Sequence, residues 1–122
     1  MAQFTVAGVT AEFEFDMTSW EEIEDKVGLL DDFDTLMESP GRLRNMRAVG
    51  SIMAAEGARL GKGSEMPVEW MKENMRPGDV RRLGIAIRTA IADGMKMEHK
   101  NGEDQVVDAI LAEIEKKEDQ DA

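Results

Sequence analysis

The segment Gly57-Ala58-Arg59-Leu60-Gly61-Lys62-Gly63 is the nearest this chain comes to a phosphate-binding loop. That loop requires four residues between its glycines and a Ser or Thr directly after the lysine, so that backbone N–H groups surround the phosphates and the hydroxyl meets the metal. Here three residues separate Gly57 from Gly61, and Gly63 follows Lys62. The segment reads instead as a helix terminus running into a loop. Asp31, Asp32 and Asp34 have the right side chains for calcium, yet counting from Asp32 the sixth and twelfth positions, which require glycine and glutamate, are Met37 and Leu43. They suit the start of a helix. His99 is the one histidine, so neither a two-histidine zinc site nor a Ser-His-Asp arrangement can be built within one chain. It reads as a surface residue between Glu98 and Lys100. With no cysteine there is no thiolate chemistry and no disulfide. Carboxylates are plentiful on charged faces, and nothing marks one for acid–base work. The expectation is a non-enzymatic binding protein with no catalytic residue, metal or cofactor.

Charge narrows the partners. The net charge of −11 argues against nucleic acid, whose phosphates need concentrated Lys and Arg. Its distribution is uneven: residues 1–39 carry −10, residues 40–100 carry +5 and residues 101–122 carry −6. A basic middle between acidic ends suits pairing within one molecule or between copies, and so a homo-oligomer, although solvated helix faces would show the same composition. No apolar run approaches 18 residues and the first residues lack signal-peptide features, so the expectation is a cytoplasmic protein without a membrane span.

The elements that must carry any binding surface can be read from periodicity. Phe4 and Val6 alternate with Thr5 and Ala7, Ala7-Gly8 supplies a turn, and Phe13, Phe15 and Met17 alternate with Glu12, Glu14 and Asp16. This predicts a half-buried hairpin over residues 3–17. Thr18 with Glu21, or Ser19 with Glu22, fits a capping box opening a helix over 19–27, with Trp20, Ile23 and Val27 on its apolar face. Gly28 is placed to end it in a left-handed conformation. A short helix over 31–38 carries Phe33, Leu36 and Met37 and stops at Pro40-Gly41.

A longer helix is expected over 42–60, with Leu43, Met46, Gly50, Met53, Gly57 and Leu60 on one stripe. Glycine costs a helix about 1 kcal/mol relative to alanine. Gly50 and Gly57, with Ala54 between them, therefore point to close packing by another helix; the alternative is a weak, frayed helix. Gly61-Lys62-Gly63-Ser64 reads as a flexible loop, Pro67 opens a helix over 67–75 with Val68, Met71 and Met75 aligned, and Trp70 lies off that face. Asp79 is placed to cap a helix over 79–93 with Val80, Leu83, Gly84, Ile87, Ile91 and Met95 on one side, ending at Gly94. A last helix over 103–114 would bury Val106, Val107, Ile110, Leu111 and Ile114, leaving 115–122 as an acidic flexible tail. The predicted fold class is α+β and mostly helical: one domain over 1–114, an N-terminal hairpin followed by a bundle of about five helices.

Ten methionines against six aromatic residues suit adaptable apolar surfaces as well as ordinary core filling, and Met66, Met71, Met75, Met95 and Met97 fall near loops or helix ends. In the order of its parts the chain resembles the tail assembly chaperones of long-tailed, siphovirus-like phages and of related prophages and gene-transfer particles. The likeness runs from the hairpin Phe4 to Met17 through Thr18-Ser19-Trp20-Glu21-Glu22-Ile23-Glu24, the break at Gly28 and the Leu-rich second helix. It continues with Ser39-Pro40-Gly41-Arg42-Leu43, the block Glu69-Trp70-Met71 to Asp79-Val80, and Ala86 to Met95, covering about residues 3–95.

The resemblance implies a cytoplasmic factor that binds the tape measure protein, recruits tail tube subunits and is absent from the mature virion. It also implies a frameshifted longer form diverging within Glu115 to Ala122. Helix-in-groove recognition would place the tape measure segment against Met71, Met75, Ile87, Ile91 and Met95. The rival readings are a tail completion or connector protein retained in the virion, and a small helical adaptor unrelated to phage.

Overall fold

A computed structural model of the protein describes residues 2–38 and 40–96. The expected helix over 103–114, the tail, His99 and Met97 lie outside the described residues. Within them, an antiparallel hairpin precedes five α-helices, an α+β and mostly helical fold.

Strands β1 (Gln3–Val6) and β2 (Val9–Glu12) pair from Gln3 opposite Glu12 to Val6 opposite Val9. The two-residue turn has Ala7 at φ 49° and Gly8 at φ 79°, the paired positive values that match the twist of a tight hairpin. Phe4, Val6 and Ala11 face inward, and Thr5 and Thr10 meet outside through their hydroxyls at 2.8 Å. The hairpin is shorter than the alternation predicts. Beyond Glu12 the chain keeps its period of two, with Phe13 and Phe15 buried, but leaves the ladder: Phe13 N–H still donates to Ala2 O, and Glu14 N–H donates to Met53 O. Alternation reports which side is buried, whereas pairing needs a partner strand, and β1 runs out at Gln3. Met17 is 64% exposed and belongs to the next helix.

Helix α1 (Met17–Lys26) is capped two residues earlier than expected, by Asp16. The Asp16 carboxylate accepts the Ser19 N–H at 3.0 Å and the Ser19 hydroxyl accepts the Asp16 N–H at 2.9 Å. Aspartate caps at least as well as threonine, and this register lets a buried serine serve as the reciprocal partner. Ile23 is buried, with Trp20 and Val27 half-buried beside it. Gly28 is not among the residues at positive φ, so the left-handed stop is not formed. Its lack of a side chain makes room instead for Leu36, whose Cδ1 would lie 2.8 Å from a Cβ at that position.

A 3₁₀ turn (Leu30–Asp32) leads into α2 (Phe33–Glu38), where Met37 is buried. Gly41, at φ 91°, then turns the chain into α3 (Arg42–Arg59), and Asn45 Nδ2 donates to Leu36 O at 2.8 Å, tying α2 to α3. Helix α3 is the central element. Met46, Val49, Ile52, Met53 and Ala54 are buried, while Leu43 and Leu60 at the ends of the predicted stripe are more than two-fifths exposed.

The loop Gly61-Lys62-Gly63-Ser64 is pinned rather than free. Ser64 N–H donates to Thr10 O at 3.1 Å, and Lys62 Nζ reaches Glu14 at 3.3 Å. It thereby covers part of the outer edge of β2, which otherwise offers unpaired backbone groups.

Met66 anchors the chain in the core before α4 (Val68–Asn74), which Pro67 precedes as the cap residue with extended ψ. Helix α5 (Asp79–Met95) starts one residue after its cap, Gly78, and runs past Gly94. Its face of Leu83, Ala86, Ile87 and Ala90 is buried. Arg82 ties α5 to β1, donating to Thr5 O at 3.0 Å with its guanidinium 5.6 Å from the Phe4 ring centre.

Glycines open a path for the extended arm that follows β2. At Gly57 a Cβ would collide with the Glu12 carbonyl, and at Gly94 with the Phe15 carbonyl. Gly50 is also close-packed, by Leu83, Phe13 and Met71 side chains at 3.0–3.4 Å. Close packing at Gly50 thus involves helices, whereas at Gly57 the neighbour is the end of a strand.

Candidate functional site

Among the described residues, a groove with an apolar wall lies where α3, α4 and α5 meet. The helices pack closely at Gly50, against Leu83 and Met71 side chains, and the groove opens beside the first turns of α3 and α5 with Pro77 in its lining. The resulting groove has a volume of about 660 Å³. Leu43, Met75 and Val80 form its apolar wall, over a floor of the buried Met46, Met71 and Leu83. Arg42, Arg47, Lys72, Arg76 and Arg81 also line it, and among the described residues no acidic side chain does. Arg47 Nε is buried with no hydrogen-bond partner among the described residues.

The cationic edge is built locally by each helix. Arg42 and Arg47 sit in the first turns of α3, one exposed and one half-buried. Lys72 occupies the outer side of α4, four residues before Arg76 in the connection to α5. Asp79 shapes that connection: its carboxylate accepts the Arg76 N–H at 2.8 Å and pairs with Arg82. The Arg76 backbone hydrogen bond, followed by that of Arg82, holds the Asp79 carboxyl below the ordinary aspartate range. Arg81 is the next outward residue of α5.

Of the five expected contact residues, the groove brings together Met71 and Met75. Met71 is fully buried at its base and Met75 is half-buried on its wall. Ile87 is 1% exposed and belongs to the core, beneath a smaller adjoining cleft of about 170 Å³ that shares Arg42, Met46, Val80 and Arg81 with the groove. Ile91 is half-buried against the core, and Met95 is 40% exposed at the far end of α5; neither lines the groove. Met66, expected near the surface, is also fully buried. A helix face chosen by periodicity includes whatever packs inward, so an apolar stripe alone overstates the accessible surface.

The lining residues left out of the expected contact set are Leu43, Met46, Val80 and Leu83, which periodicity places on helix faces, and the five cations. Their signal in the sequence was the net +5 of residues 40–100. That charge becomes a surface feature only once three helices converge.

The chemistry-bearing residues considered first fall elsewhere. Lys62 pairs with Glu14, and Gly63 lies against the backbone of β2, where a Cβ would sit 2.9 Å from Glu12 N; no phosphate cradle forms. Asp31, Asp32 and Asp34 are exposed at the start of α2. Among the described residues, no group of three or more His, Asp or Glu side chains is arranged to hold a metal ion, and no helix is long and apolar enough to cross a membrane.

A second cleft of about 700 Å³ lies at the other end of α5, lined by both charge signs: Glu12, Glu14 and Asp93 with Lys62 and Lys96. It lacks the uniform cationic edge of the first. No protein-family model, curated protein or solved structure matches the chain.

Proposed function

We propose that the protein is a non-enzymatic phage tail assembly chaperone that binds an apolar helical segment of the tape measure protein and recruits tail tube subunits. The observation that carries this reading is the groove between α3, α4 and α5, with its apolar wall and uniformly basic edge. Such a surface takes an amphipathic helix whose apolar anchors enter the groove and whose acidic flanks meet the arginines. Methionine suits the task, because the half-buried Met75 can adjust to anchors of unequal size over the buried Met46 and Met71. The acidic remainder of the molecule keeps the complex soluble. The family, its partners and its cytoplasmic setting enter through the resemblance in the order of elements, and self-association is part of the same reading.

Co-expression with the tape measure protein tests the proposal. Tape measure protein recovered in the soluble fraction only alongside this chain, and co-purifying with it, is the expected outcome. Equal solubility with and without the chain contradicts the chaperone reading. Mass spectrometry of purified particles should find the chain absent; its presence at structural stoichiometry would favour a connector protein.

A further inference from the structure

Among the described residues, Glu56 is the only charged residue buried in the core of this fold, at 4% exposed. Its Oε1 accepts a hydrogen bond from Arg59 Nε, and the Arg59 side chain is itself 60% exposed. Glu56 Oε2 is buried and meets no donor among the described residues. The Asp16 carboxylate, at the start of α1, takes the Ser19 N–H on Oδ1 at 3.0 Å and is also hydrogen-bonded to the Glu56 side chain. Two ionised carboxylates offer only acceptor oxygens and cannot bond each other. One proton resolves both points: on Oε2 it turns an orphan acceptor into a donor, and Asp16 receives it.

We propose that Glu56 and Asp16 share one proton, carried on Glu56 Oε2 and donated to the Asp16 carboxylate, and that this bond is a pH-operated latch between the start of α1 and α3. Burial works to raise the Asp16 carboxyl, but the Ser19 N–H and then the Glu56 side chain hold it below its ordinary range. A neighbouring carboxylate would push it up, whereas a donated O–H holds it down. Arg59 is the cation that interacts with both acids. The other charged groups of the arm are engaged elsewhere: Glu14 pairs with Lys62, and Glu12 presents its backbone carbonyl to α3 at Gly57. From α1 the cluster receives the Ser19 hydroxyl, which lies 3.3 Å from Asp16 Oδ1.

The sign of the pH response follows. The latch binds a proton that the unfolded chain releases more readily, so its contribution is lost as pH rises and Glu56 ionises against Asp16. Protonation of Asp16 in stronger acid ends the charge-assisted bond as well. The start of α1 is therefore held most firmly in mildly acidic solution, whatever partner the protein binds.

Amide hydrogen exchange of the full chain, each rate divided by its intrinsic value at the same pH, reads the latch directly. The reporters are the Ser19 and Trp20 N–H groups, which bond to Asp16, and the reference is Met75 N–H, bonded to Met71 O in α4. Protection at Ser19 and Trp20 should be about tenfold greater at pH 5 than at pH 8, the scale of a hydrogen bond to a charged group, with no matching change at Met75. Glu56→Gln carries a permanent donor in place of the proton, so its protection should equal that of the parent at pH 5 and persist at pH 8. Equal protection of the parent at the two pH values overturns the proposal, as does a loss at both in Glu56→Gln, which would make Glu56 simply the ionised partner of Arg59. Arg59→Met separates the two roles should the glutamine variant misfold. Without the cation the proton is held more tightly, so protection at pH 8 should rise above that of the parent; a fall there overturns the latch.

Discussion

At the scale of single residues, the backbone imposes choices that the side chains only partly meet. Ala7 occupies φ 49°, a conformation that costs a residue with a Cβ roughly 1–2 kcal/mol and that asparagine tolerates. Ala7→Asn creates the Asn-Gly pair that tight hairpins favour, and chemical denaturation should show a gain of about 1 kcal/mol. Asp16 makes a second residue-level case. Burial works to raise its carboxyl pKa, but the Ser19 N–H, Glu56, the Ser19 hydroxyl and Arg59 outweigh it and leave the carboxyl below its ordinary value. A carboxyl depressed in the folded state contributes stability in full above its unfolded value, near 4, and that contribution disappears as pH falls through the folded value. Asp16→Ala should cost about 1 kcal/mol at neutral pH through the lost cap. Asp16→Asn, which retains an acceptor, should lose less at pH 7 and show a shallower decline below pH 4 than the parent in parallel denaturation curves. The sequence revealed that a polar cap starts this helix. Which of Asp16, Thr18 and Ser19 takes the role depends on where the buried arm ends, and Phe15 sets that through its packing against Trp20, ring centres 5.5 Å apart.

Among the elements, α3 and α5 were legible from periodicity, since Met46, Gly50, Met53 and Gly57 fall on the buried side as spaced. What approaches those positions was not. Gly57 faces the Glu12 backbone, which cannot yield as a side chain does, whereas Gly50 faces the movable ends of Leu83, Phe13 and Met71. Gly57→Ala should therefore destabilise by about 2–3 kcal/mol, the scale of overpacking. Gly50→Ala should stay within about 1 kcal/mol of the parent, because the gain in helix propensity offsets mild crowding. Thermal melts of the two variants side by side check the difference; equal losses would show that both glycines face rigid neighbours. Strand length escaped the sequence for a related reason. The period of two continues through Phe15, yet the arm's backbone bonds pass to Ala2 and Met53 rather than to β1.

For the whole molecule, the segregation of charge was visible at once, but its meaning needed the fold. Arg42, Lys72, Arg76 and Arg81 are spread over 40 positions and come to line one groove only where three helices meet. Two of the five expected contact residues were absorbed into the core for the converse reason, because Met71 and Ile87 fill the interior that brings the helices together. What is left at the surface is an apolar groove with a basic edge on an acidic protein. Binding to it should weaken with added salt as the arginine contacts are screened, the Debye length shrinking from about 10 Å at 0.1 M to about 3 Å at 1 M.

The most direct test compares two charged substitutions in the tape measure co-expression assay: Met75→Asp within the groove and Ile85→Asp on the exposed far side of α5. Both chains should remain folded by circular dichroism. Met75→Asp should lose at least about tenfold in partner recovery, the effect of placing a charge against an apolar anchor, while Ile85→Asp should match the parent. Full recovery with Met75→Asp, or an equal loss with both, would contradict the groove as the site of binding.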